Sequence, residues 1–130
     1  MSRLNKLFRF VLIGLLLYLF LANLGCTSTR TPPASPPAIL GSITQRSAGT
    51  GGDFLGSILV EGQIEQGTSF DKAAIAVTGK TRIFEQIGQN RQQTTFAALQ
   101  VGRQVEAWFD GPVAESYPVQ ATASDIVILK

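Results

Sequence analysis

Residues 10–22 form an uninterrupted apolar run that carries no charge and follows closely on Arg3, Lys6 and Arg9. This block divides the chain, because whatever folds after it must do so without its hydrophobicity. As a helix the run would rise about 1.5 Å per residue, too little to cross a hydrocarbon core of about 30 Å comfortably. Its length suits the apolar region of an export signal, with the preceding cations held on the cytoplasmic side. The block also distorts the charge balance. The whole chain is +2, but from Cys26 onward eight basic residues face nine acidic ones, so the exported part is one unit negative. A near-neutral body has no long-range attraction for phosphates, and nucleic acid is not expected as a partner.

The chain has one cysteine, Cys26, and no histidine. An intrachain disulfide, a Ser-His-Asp triad and any His-ligated metal site are therefore excluded. Leu24, Gly25 and Cys26 follow the apolar run directly. This arrangement resembles a bacterial lipoprotein signal, in which a small residue precedes a cysteine whose thiol takes the diacylglyceryl group and becomes the new N-terminus. Asn23 and Leu24 depart from the usual pattern of that signal. Three fates stay open: lipidation at Cys26, retention of residues 1–25 as an uncleaved N-terminal helix, or release by an ordinary signal peptidase. All three send the remainder out of the cytoplasm, and the first two anchor it to a bacterial membrane.

Residues 26–37 are expected to be a linker. The stretch TSTRTPPASPP has four prolines in eleven residues and too little apolar surface for a core. At about 3.1 Å per residue in polyproline II, it would hold a domain on the order of 30 Å from lipid.

Residues 38–130 read as all-β. Short β-rich runs, without long helical periodicity, are separated by Gly and polar clusters. The expected strands are 38–46, 54–61, 73–78 with an extended continuation at 81–85, 103–110 and 126–129. Residues 47–53 (SAGTGGD) read as a flexible loop, 86–93 (QIGQNRQQ) as a glutamine-rich loop, and 96–102 as a place for one helical turn. Strict alternation in RQVEAWFD sets Val105, Ala107 and Phe109 on one face and Glu106, Trp108 and Asp110 on the other. Gly111 and Pro112 are expected to break that strand. Five strands with a helical turn before the fourth suggest a small OB-like barrel, whose closure would remove exposed sheet edges. A monomer is expected.

The stretch WFDGPVAESYPVQ resembles the family collected as domain of unknown function 3221, the YobA-like group. The matching residues are Trp108, Gly111, Pro112, Glu115, Ser116, Tyr117, Pro118 and Gln120, with weaker similarity through Phe70, Asp71, Lys72 and Ala73 and through Leu99–Gly102. The resemblance implies an exported or lipid-anchored protein and supplies no activity.

Two readings of this stretch are open. In one, Trp108, Asp110, Glu115, Tyr117 and Gln120 form a rim that presents an aromatic ring, carboxylates and an amide to a glycan, another small ligand or an envelope protein. In the other, Glu115 and Ser116 bond loop backbone, Tyr117 plugs one end of the barrel and Pro118 fixes the exit into the last strand. The leading expectation is a non-enzymatic, membrane-tethered module of the cell envelope that needs no cofactor. The alternatives are a hydrolase using Asp110 and Glu115 as its carboxylate pair, or a purely structural assembly factor. Gly79, Lys80 and Thr81 mimic the end of a phosphate-binding loop, but Ala74 stands where its first glycine is required. Asp53, Asp71, Asp110, Glu115 and Asp125 lack calcium-loop spacing and read as separate solvated carboxylates, so no metal is expected.

Overall fold

From Ile39 onward, apolar side chains recur at every second position, and the computed structural model builds strands from that period. It describes residues 10–11, 31–65 and 67–129. Cys26 and the expected export signal, residues 1–25, lie outside the described residues apart from Phe10 and Val11. Among those residues no helix is long and apolar enough to cross a membrane. The chain divides into the units Met1–Arg30 and Thr31–Lys130, and the second is described here.

Seven strands form one sheet: β1 (Ile39–Gly51), β2 (Phe54–Gly62), β3 (Lys72–Thr78), β4 (Arg82–Ile87), β5 (Asn90–Thr94), β6 (Gln104–Ala114) and β7 (Val119–Leu129). A single 3₁₀ turn, Phe96–Ala98, precedes β6, where a helical turn is expected. The order is β3-β2-β1-β6-β7-β4-β5, and β3 pairs again with β7. Five strands, β1, β2, β3, β6 and β7, thereby close into a ring, and they are the five expected from the sequence. One edge of β7 is shared in parallel pairing: Val119–Thr122 lies beside β3, and Asp125–Ile128 lies beside β4. The β4–β5 hairpin extends the sheet outside the ring.

The ring interior is filled by the alternate residues of each strand. Ile39, Ile43, Ile58, Val60, Ile75, Val77, Val105 and Ile126 are buried there, and Leu99, just after the 3₁₀ turn, joins them. A bulge in β7 opposite Trp108 and Phe109 sets the parity. Before it Ala121 and Ala123 are buried; after it Ile126 and Ile128 join the interior core. The extra residue sends Asp125 and Val127 to the outer face, where Phe84, Trp108 and Val127 make a second small core.

Several boundaries differ from the sequence expectation. β1 runs through residues 47–51, because β2 pairs with it as far as Gly51 and Phe54. Gly51 and Gly52 take positive φ at the turn, which L side chains rarely adopt. The glutamine-rich stretch forms the β4–β5 hairpin. Gly111 and Pro112 do not end β6, which absorbs them in an irregularity between Asp110 and Ala114. The last strand starts seven residues before Ile126, at Val119.

The proline-rich stretch also packs on the body from Pro32 onward. Pro32 is buried. Trp108 Nε1 donates to the Ser35 carbonyl at 2.8 Å, and Ala38 N donates to the Ala107 carbonyl at 2.9 Å. Residues 32–38 thus act as a strap over β6.

Candidate functional site

The closed ring aligns three rows of residues on the outer face of β2, β3 and β7. Cross-strand register sets Glu61 beside Lys72, Leu59 beside Ala74 and Gln120, and Ser57 beside Ala76 and Thr122. These are the positions opposite to the buried ones, so the same alternation that fills the core lays out this face.

At one end of the rows stands Tyr117, from the β6–β7 connection. Its ring is 73 % exposed, yet it is held. The hydroxyl donates to Asp71 Oδ2 at 3.2 Å, and Lys72 Nζ lies 6.0 Å from the ring centroid. Lys72 is itself paired with Glu61 at 2.7 Å. The hydrogen bond from Lys72, helped by Thr44, holds the Glu61 carboxyl below its ordinary value. The same bond and the charge of Glu61 raise Lys72. Acceptance by Asp71, together with its negative charge, raises the Tyr117 phenol. The connection is braced by Ser116, whose Oγ donates to the Pro118 carbonyl at 2.8 Å and whose N–H donates to Ala114 O at 2.9 Å.

Past the Glu61–Lys72 row the face is hollow, in two depressions that Tyr117 borders from the end of the rows without lining. A groove of about 500 Å³ has Ser57, Ala74, Ala76 and Thr122 in its floor, and residues 112–114 line it as well. A second hollow of about 260 Å³ shares Ser57 and Ala74 with the first, and Pro118 and Arg46 also line it. The small side chains of Ala74 and Ala76 make this depth. The lining offers hydroxyls, an amide and methyl groups; the charged groups around it are the Glu61–Lys72 pair, Asp110 opposite Thr122, and Arg46, whose guanidinium stacks 4.3 Å over the Phe96 ring.

The five rim residues read from the sequence do not form one group. Tyr117 and Gln120 lie on this face. Glu115 is exposed in the short connection before Tyr117. Asp110 is exposed on β6, opposite Thr122. Trp108 is only 8 % exposed, packed with Phe84 and Val127 beneath the strap. Neither Asp110 nor Glu115 takes part in an ion pair among the described residues. Tyr117 plugs no opening of the ring, and Ser116 bonds its own loop. The described residues contain no cluster of three metal-ligating side chains.

Sequence reasoning missed the partners of Tyr117. Asp71 and Lys72 stand in the weaker of the matched runs, and the structure brings that run against residues 115–120. It also missed Asp125, buried at 1 % exposure and approached by Arg82 Nη2 at 2.6 Å. Asp125 is the one carboxylate of β7, and its burial contradicts the expectation of a solvated group.

Residues 56–130, more than half of the chain, match the family described as "Protein of unknown function (DUF3221)". The matched span starts at Gly56 in β2 and includes every residue of the three rows. No curated protein and no solved structure matches.

Proposed function

The chain belongs to the DUF3221 family, and we propose that it is a non-enzymatic binding module of a bacterial cell envelope, tethered to the membrane through Cys26, whose Tyr117 face holds its ligand. The tether is supported by the sequence: three cations, an apolar run and a lone cysteine in order. The observation that carries the binding face is the state of Tyr117. A large ring at 73 % exposure gains little from burial, yet its hydroxyl is fixed by Asp71, and the charge beside it is neutralised by Glu61. A ring held in one orientation at the surface loses little conformational entropy on contact, which favours recognition.

Two experiments test this. Fatty-acid labelling of the wild type and of Cys26→Ala reads the tether; label in the wild type alone is expected, and absence from both contradicts it. For the face, Tyr117→Ala and Tyr117→Phe are compared for retention on isolated cell-wall and membrane fractions. Tyr117→Ala should lose retention while keeping its melting temperature, because exposed side chains contribute within about 0.5 kcal/mol to stability. Retention equal to wild type in Tyr117→Ala would refute the reading.

A further inference from the structure

The chemistry of the face narrows what it takes, and this step rests on the reading of Tyr117 as part of a binding site. We infer that the occupant is an uncharged oligosaccharide lying along the rows from Tyr117 to Thr122.

Charge is the first argument. Lys72 is consumed by Glu61, and the Asp71 carboxylate remains beside Tyr117. Among the described residues this end of the site is therefore slightly negative and has no unpaired cation for a phosphate or carboxylate. The next two rows, Leu59–Ala74–Gln120 and Ser57–Ala76–Thr122, carry no charge. A polyanion lying along these rows would meet the Asp71 and Asp110 carboxylates, and the cation that lines the second hollow, Arg46, is engaged over the Phe96 ring.

Backbone pairing is the second. Extended peptides dock most readily by adding a strand to an open sheet edge. β3 has no such edge, because β2 pairs with it on one side and β7 on the other. A peptide laid in this groove would leave its own main-chain N–H and C=O groups without a ladder. A sugar chain has no such requirement.

Shape and surface chemistry are the third. Tyr117 offers a flat apolar ring with a polar tip, the surface on which the C–H face of a pyranose stacks. The Ala74 and Ala76 floor lets a ring approach the sheet closely, and Ser57, Thr122 and Gln120 border it with hydroxyls and an amide that exchange hydrogen bonds with sugar hydroxyls. From Lys72 to Ala76 the three rows span about 13 Å along β3 at about 3.3 Å per residue. That exceeds a single sugar ring.

The test uses the full chain in detergent micelles, followed by NMR shifts at Ala74, Ala76, Gln120 and Thr122. The probes are three neutral oligosaccharides (chitotetraose, maltotetraose and cellotetraose), a neutral extended tetrapeptide and polyphosphate. At least one oligosaccharide should shift these resonances saturably, and Tyr117→Ala should weaken its binding about tenfold or more. Gln120→Ala, another exposed position, should weaken it independently. Saturable shifts with the peptide or polyphosphate and none with the three sugars would overturn the inference, as would silence from all five probes. In either case the retention experiment on envelope fractions reads the Tyr117 site separately.

Discussion

Replacing Trp108 by Phe separates a buried structural aromatic from a ligand-facing one. The indole is 8 % exposed, and its Nε1–H reaches the Ser35 carbonyl at 2.8 Å. Phe keeps most of the apolar contact with Phe84 and Val127 but cannot donate. The lost hydrogen bond is worth about 0.5–1.5 kcal/mol net, and the smaller ring leaves a gap costing about 1 kcal/mol more. Together they make about 2 kcal/mol. In a body of this size each kcal/mol moves the melting temperature by about 4–8 °C, so a fall of about 8–16 °C is expected. Far-UV circular dichroism is the assay, since the substitution removes the only tryptophan. Ligand retention on envelope fractions should persist below the new melting temperature. A melting temperature within about 2 °C of wild type, or loss of retention in a folded protein, would refute the placement of Trp108 under the strap.

Three further outcomes follow from named contacts. Deleting residues 32–37 removes the Ser35 bond and the burial of Pro32; urea unfolding should show a loss of about 1–3 kcal/mol, and the deletion should be less than additive with Trp108→Phe because the two share one contact. Asp125→Ala strands Arg82 beside a buried site, and chemical denaturation should report a loss of about 2–3 kcal/mol, less than a fully buried pair because the Arg82 side chain is 35 % exposed. Gly56→Ala sets a Cβ 2.5 Å from the Phe96 ring at a φ of +151°; a cost of about 1–3 kcal/mol is expected in thermal melts.

The sequence resolves what depends on local period and leaves hidden what depends on pairing. Val105, Ala107 and Phe109 alternate cleanly against Glu106, Trp108 and Asp110, and β6 follows that pattern. The same alternation put Trp108 among charged neighbours, which reads as an exposed face. It is covered by Phe84 and Val127 from other strands and by the strap, more than seventy residues earlier. β5 was illegible for a different reason: all but one of its residues are exposed, so no apolar pattern marks it. Residues 47–51 are small and flexible in composition, yet backbone pairing with β2 needs no apolar side chain. The contact between Tyr117 and Asp71 spans 46 residues. It depends on the parallel register of β3 and β7, a property of topology that neither run carries by itself. Two runs similar to the family could be read from the sequence, but their meeting could not.

The most direct measurement is the titration of Tyr117. The other tyrosine, Tyr18, lies ahead of Cys26, so in a protein starting at Cys26 the phenolate absorbance reports Tyr117 alone. The Asp71 bond favours the protonated phenol, which raises its pKa from the ordinary value of 10.0. The stabilising contribution is therefore complete below that value and disappears as pH rises through the raised one. The expected result is a midpoint above 10.0 in the wild type that falls back in Asp71→Asn. An ordinary midpoint in both proteins would mean that Tyr117 and Asp71 do not meet, and the binding face built on their contact would not exist.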